Sequence, residues 1–308
     1  MAAAGSPLLA LKIDVDTWRG TREGVPPLME ALRRHEAGAT FLFSLGPDHT
    51  GRAIKRVFRP GFLSKVSRTS VVEHYGIRTL LYGTLLPGPD IGRREAGLMR
   101  QVRDAGFEVG IHTWDHIRWQ DHVAAKDPDW TEREMRLAVK RFTEIFGEPP
   151  RTHGAAGWQM NHAAYALEKD LGFDYASDGR GIHPFEPVDD RGAPLGVAQL
   201  PTTLPTLDEL IGADGITTDN VHEHLLSLTA HPPAHGHVYT LHAELEGMKL
   251  LPVFERLLAG WRAQGYELVS TRELFSRLDK SRLPRHRVEM GEIPGRSGTL
   301  ALQGTEIV

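Results

Sequence analysis

The chain predicts an α/β protein built around a mostly parallel sheet or barrel. Three observations carry that expectation. Strand-like and helix-like segments alternate along most of the 308 residues, as in a parallel sheet whose strands are joined by helices. The residues that stand out as chemistry-bearing, Asp14, Asp16, His112, Asp178 and His242, all fall at or just after the ends of expected strands, where barrel enzymes keep their reacting groups. A composition of 40% hydrophobic and 25% charged residues with a formal net charge of -4 is that of an ordinary soluble chain, long enough for one large domain or two small ones.

The elements follow in order. Residues 8–15 read as a strand with Leu9, Leu11, Ile13 and Val15 on one face and Asp14 and Asp16 on the other, because side chains alternate with period two. Residues 26–37 read as a helix stopped by Gly38, 39–44 as a strand, 93–105 as a helix and 107–111 as a strand. The clearest helix is 132–146. Thr131 and Glu134 form a capping-box pattern, Gly147 and Pro149 mark its end, and Met135, Ala138, Val139, Phe142, Ile145 and Phe146 form its apolar stripe. Helices over 161–170, 219–229, 250–263 and 271–278 alternate with strands over 172–176, 196–200, 237–242 and 266–269. No internal repeat is evident.

Two stretches break the alternation. Residues 51–82 carry seven basic residues against one acidic, interleaved with Ile54, Val57, Phe58, Phe62, Leu63 and further apolar residues. A basic amphipathic insertion suits an anionic membrane surface; a solvated helix packed on the barrel explains the same pattern. Residues 279–308 are rich in Arg, Gly and Ser and lack periodicity, so a poorly ordered tail is expected after a catalytic domain over 1–278.

Several function classes are disfavoured. No cysteine is present, which excludes disulfides, thiolate metal sites and a cysteine nucleophile. No apolar run reaches membrane-spanning length, and no basic nucleic-acid-reading motif appears. The N-terminus lacks a basic region and flows directly into the first strand, so a cytoplasmic protein is expected. No obligate protein partner is evident.

Three motifs concentrate the chemistry. Leu11-Lys-Ile-Asp-Val-Asp16 delivers two carboxylates to one strand end, which repel unless a cation separates them; alone, it equally fits an Asp-rich turn. Phe107-Glu-Val-Gly-Ile-His112-Thr-Trp-Asp-His116 places a second histidine four residues after a strand-ending one, a spacing that suits one divalent metal if the chain turns helically. Asp16 is a natural third ligand, and His, His and carboxylate with an open position is a catalytic arrangement. Gly236-His-Val-Tyr-Thr-Leu-His242-Ala-Glu brings a late strand to a histidine. In isolation that is a core histidine; beside a metal and a carboxylate it is a candidate general acid. His231, His235 and His237 sit among Pro and Gly and read as a loop.

These three motifs, in this order, resemble the polysaccharide deacetylase superfamily of metal-dependent sugar N-deacetylases. Longer blocks sharpen the resemblance: Ile13-Asp-Val-Asp-Thr-Trp-Arg-Gly-Thr-Arg-Glu-Gly-Val-Pro26, Ser44-Leu-Gly-Pro-Asp48, Ala155-Ala-Gly-Trp-Gln159, Ser177-Asp-Gly-Arg-Gly181, Thr203-Leu-Pro-Thr206 and Tyr239-Thr-Leu-His-Ala-Glu-Leu-Glu-Gly247. They are similar to the subfamily that deformylates 4-deoxy-4-formamido-L-arabinose phosphoundecaprenol, over roughly residues 8 to 275.

The resemblance implies an incomplete, distorted (β/α) barrel. It implies a divalent ion (Zn, Mn, Co or Fe) held by Asp16, His112 and His116, with Asp14 as base, His242 as acid and Asp178 orienting His242; alternation alone lets either Asp be the ligand. The implied substrate is lipid-linked, and its free amino sugar serves lipid A modification and polymyxin resistance. That places the chain peripherally on the cytoplasmic side of the inner membrane. Arg19, Thr21 and Arg22 are candidates to grip the carrier phosphate, although a loop salt bridge to Glu23 is equally compatible. Trp158 and Arg180 are further substrate-binding candidates. One departure stands out. The superfamily places an Arg beside the catalytic carboxylate, and here Arg151 and Arg180 compete for that position. An N-deacetylase acting on another aminosugar or polysaccharide, or a non-catalytic sugar-lipid binding module, are the alternatives.

Overall fold

Strand β1 (Leu8–Val15) lies inside the sheet and pairs in parallel with three others. The structure, a computed structural model, describes residues 6–53, 78–296 and 298–307. With β2 (Thr40–Ser44), β3 (Glu108–Thr113), β4 (Thr152–His153), β5 (Tyr175–Ala176), β7 (His237–His242) and β8 (Glu267–Val269) it forms a seven-stranded sheet of order β5-β4-β3-β2-β1-β7, with β8 also on β1. Every one of these pairings is parallel. Helices α1 (Val25–Arg34), α2 (Ala96–Asp104), α3 (His116–His122), α4 (Pro128–Phe146), α5 (His162–Asp170), α6 (Val221–Leu228), α7 (Leu251–Ala263) and α8 (Thr271–Ser276) connect the strands. This is the expected α/β curled half-barrel.

Burial explains the strand order. Leu9, Leu11, Ile13 and Val15 are fully buried with Phe41, Phe43, Tyr239 and Leu241 in one core. Lys12, Asp14 and Asp16 alternate with them and are buried too. A parallel sheet covered on both faces produces this nearly continuous burial.

Element boundaries differ from expectation where a stronger local signal competes. α4 begins four residues before the expected 132. Asp127 accepts a hydrogen bond from Trp130 N at 2.8 Å, and Pro128 occupies the first turn. Thr131 therefore sits inside the helix and donates its hydroxyl to Asp127 O. Gly147, at φ 76°, closes the helix as expected. The expected 93–105 helix is broken at Glu95. Residues 196–200 form no strand; Gln199 makes only isolated bridges to Ala176 and Phe185.

The tail contradicts the expectation of poor order. β9 (Arg285–Gly291) and β10 (Leu300–Glu306) pair antiparallel, and β9 lies parallel to β6 (Glu186–Val188). Leu300 and Ala301 are buried, Arg180 N donates to Ala301 O at 2.9 Å, and Gln303 N donates to Arg180 O at 2.8 Å. The tail's order comes from backbone pairing with segments about a hundred residues earlier, which tail composition does not encode. Of the basic 51–82 stretch, residues 54–77 lie outside the described residues. At its near end Arg52 donates to Gly83 O. Among the described residues no helix is long and apolar enough to cross a membrane.

Candidate active site

The site is built at the carboxyl ends of β1, β3 and β7. β1 ends into Asp16. β3 delivers His112, and Asp115 then caps α3 by accepting from Arg118 N, so that His116 begins the helix and turns back toward His112. His112 Nε2 lies 3.2 Å from Asp16 Oδ1, His116 Nε2 lies 3.4 Å from Asp16 Oδ2, and the two imidazoles are 5.2 Å apart between centroids.

His112 donates from Nδ1 to Gly154 O at 2.6 Å. That bond leaves the Nε2 lone pair facing Asp16, the orientation that a carbonyl partner gives a metal-ligating histidine. Asp16 Oδ1 is buried and has no hydrogen-bond partner. Two lone-pair atoms facing each other at this spacing suit a divalent cation between them, and an N, N, O donor set fits Zn, Mn, Co or Fe. Burial pushes the Asp16 carboxyl up, but His116, His112 and His242 outweigh it and hold it below the usual carboxylate range.

Asp14 shares this face. Its Oδ1 is buried without a hydrogen-bond partner, and its Oδ2 lies 3.3 Å from Lys12 Nζ. The β1–β7 register sets Asp14 directly beside His242, so a carboxylate and an imidazole reach the same edge from neighbouring strands. His242 Nδ1 is likewise buried and unpartnered. Its backbone N–H donates to Glu246 at 2.9 Å, and Tyr239 donates its hydroxyl to the same carboxyl at 3.2 Å. Burial raises Glu246 to about 7 against the lowering effect of His242.

Glu244 and Glu246 were not among the sequence candidates. Glu244 Oε1 accepts from Asp16 N, Thr17 N and the Thr17 hydroxyl at 3.1, 2.8 and 2.8 Å, which fixes the loop that carries Asp16. Gly20 is required there, since a Cβ would stand 1.9 Å from that oxygen. Their signal in the sequence was the acidic run just after His242, two charges in a segment otherwise destined for the core.

Several expected site residues are placed differently. Asp178 does not orient His242. It accepts from His153 Nδ1 at 2.7 Å and from Ala155 N at 2.8 Å, in a buried group with Glu168. β5 ends near β4 rather than near β7, two strands to the other side of the site. Neither arginine accompanies Asp14: Arg151 is exposed and 3.8 Å from Asp174, and Arg180 pairs with Glu209 at 2.7 Å. The cation beside Asp14 is Lys12, with Nζ 3.3 Å from Oδ2. Thr21 is fully buried and donates to Thr17 O at 2.8 Å, so it presents nothing to a ligand. Arg19 and Arg22 both pair with Glu23, at 2.9 and 2.7 Å, and Arg22 also lies 4.5 Å from the centre of the Trp18 ring. Trp158 is buried beneath Arg180 and the tail's Arg296, 5.0 and 4.2 Å from its ring centre.

With this geometry in place, comparison with known proteins is decisive. The model of the polysaccharide deacetylase family matches residues 4–176. The chain belongs to the polysaccharide deacetylase family. A curated Shewanella sediminis protein, "Probable 4-deoxy-4-formamido-L-arabinose-phosphoundecaprenol deformylase ArnD", is 39% identical over 97% of this chain and 95% of its own length. In three dimensions the deacetylase fold is shared with a Mycobacterium smegmatis protein assigned to the polysaccharide deacetylases, at a TM-score of 0.61 and 16% identity over 95% of this chain and 98% of that one. It is shared also with a Bacillus anthracis CE4 family pseudoenzyme, at a TM-score of 0.51 and 14% identity over 92% of this chain and 69% of the other. A deacetylase fold can thus house a pseudoenzyme, and the site residues carry the functional reading.

Proposed function

We propose that this deacetylase-family chain is a hydrolase that removes the formyl group from 4-deoxy-4-formamido-L-arabinose carried on phosphoundecaprenol. The observation that carries the reading is the convergence of Asp14, Asp16, His112, His116 and His242 on one sheet edge, in a chain 39% identical to the relative so named.

Amide hydrolysis needs an activated water, a place for the carbonyl charge and a proton for the departing amine. Asp16, His112 and His116 would hold a divalent cation. When bound, it polarises the carbonyl and acidifies water. Asp14, with one oxygen that accepts no hydrogen bond, takes the proton of the attacking water. His242, side by side with Asp14 in register, gives a proton to the sugar nitrogen as the C–N bond breaks. Arg19 and Arg22 lie just beyond β1 and suit the substrate phosphate, provided that Glu23 yields them.

A substrate anchored in lipid requires the site to approach a bilayer, and we assign the chain to the cytoplasmic surface of the inner membrane with the basic 51–82 stretch in contact. Arg52, Lys55, Arg56 and Arg59 changed to Gln should weaken salt-sensitive binding to anionic vesicles; equal binding by the variant and the native protein at low salt overturns that contact.

The deciding experiment measures formate and acetate released from lipid-linked and soluble aminosugars. Formate from the lipid-linked formamido sugar supports the proposal. Acetate from a polymer moves the chain to the N-deacetylases, and no release from any substrate points to a binding module.

A further inference from the structure

A buried ammonium beside the candidate base has no part in the mechanism above. Lys12 is fully buried, on the same face of β1 as Asp14 and two residues before it. Its Nζ lies 3.3 Å from Asp14 Oδ2 as an ion pair and forms no hydrogen bond. An ammonium out of water is strongly disfavoured unless it is paired, so this one is held for its carboxylate.

The surroundings are shaped to admit it. The side chain runs over Gly154, where a Cβ would stand 2.8 Å from Lys12 Cε and 3.3 Å from Nζ. The carbonyl of the same glycine accepts from His112 Nδ1. One residue without a side chain therefore both aligns a metal-ligand histidine and leaves room for the lysine. Beyond it the Trp158 ring centre is 5.6 Å from Nζ.

We infer that Lys12 is the positioning residue of the reaction: its ammonium holds Oδ2 of Asp14 so that Oδ1 is turned to the attacking water. This inference rests on the hydrolase reading with Asp14 as base. Two features support it. Asp14 Oδ1 accepts no hydrogen bond, with His112 Nδ1 3.8 Å away. Arg151 and Arg180, the guanidinium candidates for this position, are engaged elsewhere.

The test uses the metal-loaded full chain and a soluble formamido-sugar analogue, with Lys12→Met, Lys12→Arg and Asp14→Asn. Lys12→Met should lower kcat about 100-fold, within the span of a general base, with KM changed less than about threefold. Metal content should stay full, and Lys12→Arg should recover at least about tenfold of the loss, because it restores the cation. A Lys12→Met enzyme with full metal and native kcat overturns the inference, as does Lys12→Arg no better than Lys12→Met. Urea unfolding of the metal-free proteins supplies an independent arm. Lys12→Met should shift the midpoint less in an Asp14→Asn background than in the native one; equal shifts show that the lysine does not serve Asp14. If the native protein releases no formate, the hydrolase reading fails, and the unfolding arm still decides whether the pair is coupled.

Discussion

The Asp16, His112, His116 group and the His153, Glu168, Asp178 group each gather three ligand atoms within 4.8 Å of one another, yet their spacings differ. In the first, imidazole and carboxylate atoms stand 3.2 and 3.4 Å apart. Donors about 2.0–2.2 Å from a tetrahedral ion are separated by roughly 3.4 Å, so an ion fits between them. In the second, His153 Nδ1 and Asp178 Oδ1 are 2.7 Å apart, close enough to share a proton and too close to flank an ion. The first group is at strand ends, with the His116 side chain 15% exposed; in the second, no side chain exceeds 2%. Gln199 Nε2 donates to Glu168 at 3.1 Å and helps close the second group. Similar residue types thus leave room for a cation when held apart at a sheet edge and form a closed charge cluster when pressed together inside.

The largest test of that contrast is metal retention. His112→Ala should abolish metal binding and activity, a loss beyond the ~10–100-fold typical of residues that only support a ligand. His153→Ala should keep the metal. Elemental analysis that finds equal loss in both variants would erase the distinction.

Within the open group, roles separate next. Asp16→Asn should lose metal and rate together. Asp14→Asn and His242→Ala should keep metal and lose roughly 10²–10⁴-fold in kcat. Metal lost from Asp14→Asn but not from Asp16→Asn would reverse the ligand and the base.

The closed group should answer in stability. His153→Ala leaves a buried carboxylate unpaired and should cost about 3–5 kcal/mol in urea unfolding. Unchanged stability would mean that the cluster contributes nothing to the fold.

The smallest effect is a slope. Burial, and then Asp178, raises Glu168 well above its ordinary 4.5. The folded state therefore keeps a proton that the unfolded state releases. The associated stability is fully present below about pH 4.5 and is lost as pH rises toward the folded value. Glu168→Gln should flatten the fall in stability above about pH 4.5; a variant as steep as the native protein would rule out the retained proton.

Legibility in the sequence tracked the range of the interactions. β7 was found with its observed limits, His237–His242, because its apolar pattern and its terminal histidine are local. The His112 and His116 spacing needed only four residues of context. Lys12 was in view within the first motif, but its role was sought in arginines of later segments; the strand's alternation already set it beside Asp14. His153, Glu168 and Asp178 come from β4, α5 and the end of β5, with no local spacing to announce them. The tail was misread for the same reason: Ala301 and Gln303 pair with Arg180, far back in the chain.

The position of β1 also orders how the molecule can be made. It precedes the strands it pairs with and meets β2 within some thirty residues, but β7 and β8 follow more than two hundred residues later. Until then the strand bearing Asp14 has an open, apolar edge, of the kind that templates unwanted pairing. Contacts so distant in sequence also slow folding. No nascent chain that stops before residue 242 can bring Asp14 and His242 together, so the site forms only once β7 has been synthesised.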